Sequence, residues 1–100
     1  MLTLDVSIEK LRDMIRISSD ALDDELIDLK NAFLLDLSRV GVEVIPTDTA
    51  LVLACLRLYL RWQENYNGEA ERYKDSYRNL RNGLAQAGEY EEGSDADDSQ

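Results

Sequence analysis

Two acidic clusters are the places in this sequence where chemistry-bearing residues gather most closely. "DALDDELID" covers residues 20–28 and "DADD" covers residues 95–98. Clustered carboxylates hold calcium when they alternate with other residues, turn at a glycine and close on a glutamate. Neither cluster has that pattern. A carboxylate pair can also trade protons with a substrate, but only within a defined apolar cleft. Nothing in the spacing supplies one. In the first cluster Asp20 reads as a helix N-cap. Asp23, Asp24 and Glu25 then fill the first turn, where the helix dipole favours negative charge. The second cluster reads as part of a solvated tail. The chain has no histidine and one cysteine, Cys55. That leaves no Ser–His or Cys–His nucleophile pair, no usual zinc ligand set and no internal disulfide. No phosphate-cradling glycine loop is present. The expectation is a protein that is not an enzyme and that uses no metal and no cofactor.

Charge narrows the partners. Acidic residues number 21 against 11 basic ones, a net charge of −10. Residues 1–48 carry eleven acids and five bases, residues 49–88 four acids and six bases, and residues 89–100 six acids and no base. Without a basic cluster a chain is a poor binder of nucleic acid, because phosphate neutralisation supplies most of the non-specific affinity. The asymmetry between the acidic N-terminal half and the basic middle suits subunits that meet head to tail, and an uneven solvated surface explains it equally well. The longest uncharged apolar stretch, Ala50 to Leu56, is far short of the roughly 20 residues that cross a bilayer. No basic region followed by an apolar run marks a signal peptide. The expected setting is the cytoplasm, without a membrane partner.

Periodicity supplies the elements that would position any site. Four helical segments are expected. The first covers about residues 6–17, with Ile8, Leu11 and Ile15 on one face and Met14 beside them. The second runs from about Ala21 to Val40. Leu22, Leu26, Leu29, Phe33, Leu37 and Val40 form a continuous stripe along it, and Gly41 is its stop. "GVEVIPTD" (41–48) is the main connection, with a possible minor strand at Val42, Val44 and Ile45. The third helix starts near Thr49, with Thr47 or Asp48 as cap, and includes "LVLACLRLYLRWQENY" (51–66). On a wheel at 100° per residue its apolar side chains cover about two thirds of the circumference. Such a helix needs neighbours on several sides. The fourth covers about 69–87, with Ala70, Tyr73, Tyr77, Leu80, Leu84 and Ala87 in register and Gly88 as stop. The fold class is therefore all-α: a small bundle of about four helices with a long central apolar helix. Residues 1–88 form the helical domain. Residues 89–100, "EYEEGSDADDSQ", form a disordered acidic tail, since they offer no apolar stripe and repel one another.

The central helix has more apolar surface than one small bundle uses, so one flank is expected at a subunit interface. Leu51 and Leu58 lie on one flank, Leu53 and Leu60 on the other. Arg57 and Arg61 share a narrow stripe near that seam, where they either bridge subunits or pair with Glu64 on an exposed face. The aromatics Tyr59, Trp62, Tyr66, Tyr73 and Tyr77 stand at helical spacing on inward faces and read as core.

The order of these pieces resembles a known family. "LRDMIRI", a polar break, "DDELIDLKNAFLLDL", "GV" with a proline-containing loop, "ALVLACLRLYLRW" and "YRNLRNGLAQAGEY" follow one another across residues 4–90. This is similar to the head–tail connector proteins of long-tailed bacteriophages, the adaptor family also called head-completion proteins. The resemblance implies a helical structural protein that assembles into a ring, of twelve subunits in the virion. The ring sits between the portal protein and the neck, stopper or tail protein and extends the channel through which DNA only passes. It implies a place in the virion neck after assembly in the host cytoplasm, no cofactor and no catalytic residue. It also adds Tyr90, in the closing "AGEY", to the interface candidates. The acidic residues after Tyr90 are not prescribed by the resemblance. The competing reading is a small oligomeric helical protein–protein interaction module unrelated to virions.

Overall fold

A computed structural model describes residues 2–45 and 49–93, with side chains described through residue 86. The chain is all-α. Helices α1 (Ile8–Met14), α2 (Asp23–Arg39), α3 (Ala50–Gln63) and α4 (Ala70–Gly93) follow in order, with a short 3-10 turn at Tyr66–Gly68 between the last two. No strand occurs among the described residues. Val42 is half-buried, Val44 is exposed and Ile45 rests on the core, so the minor strand considered for this stretch does not form. Pro46, Thr47 and Asp48 lie outside the described residues, and with them the two expected caps of α3.

The apolar stripes do what their spacing requires. Leu26, Phe33 and Leu37 of α2 are fully buried, and Leu22 and Leu29 pack against the same core. Val52, Cys55, Leu56, Tyr59 and Leu60 of α3 meet them, with Tyr77 of α4 and Leu11 and Met14 of α1. Each such side chain contributes roughly 1.5–3 kcal/mol on burial. The rings interlock at the centre: Phe33, Tyr59 and Tyr77 lie within 5.1–6.2 Å of one another, centroid to centroid. Trp62 stands edge-on to Tyr59 at 5.7 Å. Burial pushes the Cys55 thiol up to about 12, so it behaves as a small apolar filler.

One part of the core comes from residues before the expected start of the first helix. Leu2 and Leu4 are buried, Thr3, Asp5 and Ser7 are exposed, and Val6 is half-buried. This is the alternation of an extended segment, here an arm laid on the helices and not paired in a sheet. Lys30 donates to the Leu4 carbonyl at 3.3 Å and holds the arm to α2.

The helix ends differ from the expected ones in instructive ways. Ser7 caps α1, accepting the Lys10 amide at 3.1 Å, so that helix begins two residues later than periodicity suggests. Asp20 does not cap α2. Leu22 occupies the cap position without a side-chain hydrogen bond, and Asp20 uses its carbonyl to accept from the Asp23 amide. Asp23 instead receives a two-pronged bond from Arg12, at 2.8 and 2.5 Å, which pins α1 to the start of α2. This bond outweighs partial desolvation and holds the Asp23 carboxyl below its usual range. At the other end of the chain, α4 continues through Gly88 to Gly93. Glycine stops a helix where the chain must turn left-handed, and otherwise lowers helical stability only by about 1 kcal/mol. Residues 94–100, most of the expected tail, lie outside the described residues.

Gly83 gives a direct check on α4. It is exposed, and a Cβ built there meets nothing within 4 Å. Gly83→Ala is therefore expected to stabilise the protein by about 0.5–1 kcal/mol, mainly by removing freedom from the unfolded chain. Thermal unfolding followed by circular dichroism should show the midpoint rise by roughly 2–8 °C.

Candidate functional site

The expected interface residues do not stay together. Leu60 is fully buried at 0% exposure and packs in the core, and Leu53 is half-buried against it. The Leu53/Leu60 flank is consumed inside the protomer, because α2 and α4 close over that side of α3. Leu60 is therefore corrected from an interface candidate to a core residue. Leu51, by contrast, is 59% exposed, and Leu58 is half-buried. At 100° per residue Leu51, Leu58, Ala54, Arg61, Ala50 and Arg57 fall within one arc of about 120°. Within that arc Ala50, Leu51 and Arg57 are exposed, whereas Ala54, Leu58 and Arg61 are half-buried and Leu58 packs against the core. Tyr90 belongs to α4 by its backbone, and its side chain lies outside the described residues.

The two arginines of this arc differ. Arg57 is exposed, and it forms no ion pair with any described residue. Arg61 is half-buried and engaged within its own protomer. Its Nε donates to the Met14 carbonyl at 2.8 Å, and its guanidinium lies over the Tyr66 ring at 4.6 Å and the Tyr73 ring at 5.8 Å. The Met14 carbonyl is one of those left free at the end of α1. Arg61 thus ties α3 to α1 and to the start of α4, and of the two arginines on that stripe only Arg57 is exposed. Neither pairs with Glu64.

Sequence reasoning missed a third arginine. In three helices the residue after the C-cap is in the left-handed region: Arg16 at φ 59°, Gly41 at φ 104° and Asn65 at φ 52°. After α1 the Arg16 amide donates to Asp13 and the Ile17 amide to Arg12, each at 3.1 Å. After α2 the Gly41 amide donates to Ser38 at 3.1 Å and the Val42 amide to Leu37 at 2.9 Å. Both are the double-bonded Schellman ending. Glycine is the usual occupant of that position and asparagine is tolerated, whereas other L residues there are strained by roughly 1–2 kcal/mol. Arg16 is the outlier. Its side chain, with Arg57, Arg61, Asp13, Ile17 and Ser18, lines an open cleft of about 680 Å³. Three guanidinium groups line it against one carboxylate. A second cleft, lined by Arg39, Arg78, Arg81 and Asp36, has the same ratio, but there Arg39 and Arg81 are paired with Asp36.

Two further clusters were not legible. Asp36 of α2 accepts from Tyr77 Oη at 2.5 Å and from Arg81 at 3.0 Å, both on α4, and from Arg39 on its own helix. Burial opposes its ionisation, but these three donors outweigh that and hold its carboxyl below the usual range. Burial and the same bond to Asp36 push Tyr77 far up, so it stays a donor. The second cluster is the pair Glu25 and Glu64. Glu64 follows the last residue of α3, where the dipole disfavours negative charge, and Glu25 lies in the first turn of α2, where it is favoured. Burial, a hydrogen bond with Glu25 and repulsion from it push the Glu64 carboxyl up to about 7. One of its oxygens is buried without a hydrogen-bond partner.

Among the described residues no group of three or more His, Cys, Asp or Glu side chains is placed to hold a metal ion, and no helix is long and apolar enough to cross a membrane. No family model, curated protein or solved structure matches the chain.

The Glu64 pair has a definite pH signature. Its folded-state pKa is raised, so the native state holds this proton more tightly than the unfolded chain does. That stabilisation is complete below the ordinary glutamate range, near pH 4, and is lost as the pH rises through about 7. Glu64→Gln should remove the loss. Denaturant unfolding at pH 8 is expected to show the variant more stable than the parent by roughly 1–3 kcal/mol, with a smaller gap at pH 5. An equal gap at both values would mean that Glu64 is ionised throughout.

Proposed function

We propose that the protein is a structural connector subunit of a long-tailed bacteriophage. In this reading it forms a ring between the portal and the neck or tail that extends the DNA channel. The observation that carries the reading is the pair of unlike surfaces on one small helical protomer. Arg57, on the exposed side of α3, lines the arginine cleft together with Arg61 and the Arg16 turn that follows α1. The C-terminal turns of α4 open the acidic stretch of residues 89–100, which holds six acids and no base. A ring requires heterologous contacts, in which two different faces of the same protomer meet. Opposite charge on those faces also fixes their orientation.

The connector resemblance implies a helical protomer, and the ordered quotations that carry it map onto successive helices. "LRDMIRI" spans the end of α1 and its left-handed turn, "DDELIDLKNAFLLDL" lies within α2, "ALVLACLRLYLRW" is nearly all of α3, and "YRNLRNGLAQAGEY" lies within α4. The ring size, the portal and neck partners, and the place in the virion neck belong to the same proposal. A net charge of −10 suits a wall past which DNA slides without sticking.

Two observations test this reading. The coding gene should lie among portal, capsid and tail genes, and a neighbourhood with none of them would favour a helical interaction module outside virions. Light scattering of the purified protein across concentrations should show the mass rise from one chain of 11.4 kDa to a plateau at a single closed size. A mass that climbs without a plateau would contradict ring closure.

A further inference from the structure

We propose that the cleft lined by Arg16, Arg57 and Arg61 is a docking site for the acidic C-terminal segment of a second copy of this chain. Residues 89–98 supply the ligand: Glu89, Glu91, Glu92, Asp95, Asp97 and Asp98. The contact is one way of building the head-to-tail association proposed above, but it can be read without any ring being formed.

Three observations carry it. The first is the charge of the cleft. Arg16 and Arg57 form no ion pair with any described residue, and among the described residues Asp13 is the only acidic one lining the space. Arg61 is held in place by the Met14 carbonyl and the Tyr66 ring, so its guanidinium enters the cleft already oriented. Preorganised guanidinium groups favour carboxylates, which they can grip through two N–H donors at once. The second is the strain at Arg16. The α2 ending shows that this chain uses glycine where the same turn is needed. An arginine kept at φ 59° forgoes that stability, and residues held in sparsely populated conformations gather at binding sites. The left-handed turn places its side chain at the cleft.

The third is direction. Tyr59 lies against Tyr77, and Tyr66 lies against Tyr73, so α4 runs antiparallel to α3. Gly93 is sixteen residues beyond Tyr77, or about 24 Å along the axis. Arg61, with the Met14 and Arg16 end of α1, lies on the other side of the Tyr77 level. While α4 is helical it carries its acidic residues away from the arginines of its own protomer. A second copy stacked head to tail brings the two together.

Duplex DNA is the other polyanion that three arginines could hold. The protein's net charge of −10 works against it, because the surrounding carboxylates repel a long polyanion more than a short peptide.

The test is fluorescence anisotropy of a dye-labelled synthetic peptide of residues 89–100 titrated into the full chain. Saturable binding is expected, and it should weaken steeply as salt is raised. A peptide with every Asp and Glu replaced by the amide should not bind. Arg16→Gly is the informative variant, because the two roles of the residue predict opposite changes. Its melting midpoint should rise, since the left-handed strain is gone, while peptide affinity falls by about tenfold, equivalent to about 1.4 kcal/mol. Arg57→Glu, at an exposed position, should weaken binding at least as much with unchanged helical content. The proposal is overturned if the wild-type chain shows no saturable binding, if the amide peptide binds equally, or if Arg16→Gly binds as well as the parent. A short DNA duplex that displaces the labelled peptide better than unlabelled peptide does would assign the cleft to nucleic acid instead.

Discussion

Leu56, Cys55 and Leu60 of α3 have no route to water, and the rest of the molecule is arranged around that fact. A fourteen-residue helix with apolar side chains around most of its circumference cannot be solvated on more than a narrow arc. α2 and α4 close over the side that holds Leu60, α1 reaches the end that holds Arg61, and the extended arm brings Leu2 and Leu4 to the same core. The polar ties follow from this packing. Asp36 binds Tyr77 and Arg81 where α2 and α4 meet, and Arg12 binds Asp23 where α1 meets α2. Asp36 and Asp23 are paired where burial would otherwise penalise them, and Glu64, beside Glu25, is the exception. What the bundle leaves uncovered is the exposed Leu51 near the start of α3 and, further along, Arg57 beside the Arg16 turn.

That geometry separates two kinds of arginine that look alike in sequence. Arg61 stabilises the protomer by satisfying a helix-end carbonyl and stacking on rings. Among the described residues Arg57 has no comparable partner. A charge reversal at both positions would confuse folding with association, and Arg57 with Arg16 is the pair that isolates the surface. The same distinction applies to the leucines, since Leu51 faces solvent and Leu60 faces the core although both flank the same helix.

The helical stripes were legible because their spacing is a local property. The run from Leu22 to Leu37 and the run from Tyr73 to Leu84 each encode one face of one helix, and the fold buries both; only Val40, at the cap of α2, falls outside the core. Helix ends were less legible. Asp20 has the chemistry of a cap, but the chain turns so that its carbonyl accepts and its side chain does not. Gly88 has the chemistry of a stop, but nothing at that point requires a left-handed turn. The Asp36 and Glu64 clusters join residues about forty positions apart in the chain, and no spacing rule reports such pairs. Arg16 was hidden differently: its significance lies in a backbone angle that arginine rarely adopts. The alternation of Leu2, Leu4 and Val6 was present in the sequence, and it marked the arm that helical periodicity passed over.

The account rests on one claim, that two unlike faces of this protomer meet across copies. Electron microscopy of the assembled protein tests it most directly, because symmetry distinguishes the kinds of contact. Head-to-tail association predicts closed rings with a single rotational axis, in which the C-terminal end of α4 approaches the Arg16–Arg57 corner of the next subunit. Two-fold dimers, with the Leu51 surface packed against its own copy, would contradict it.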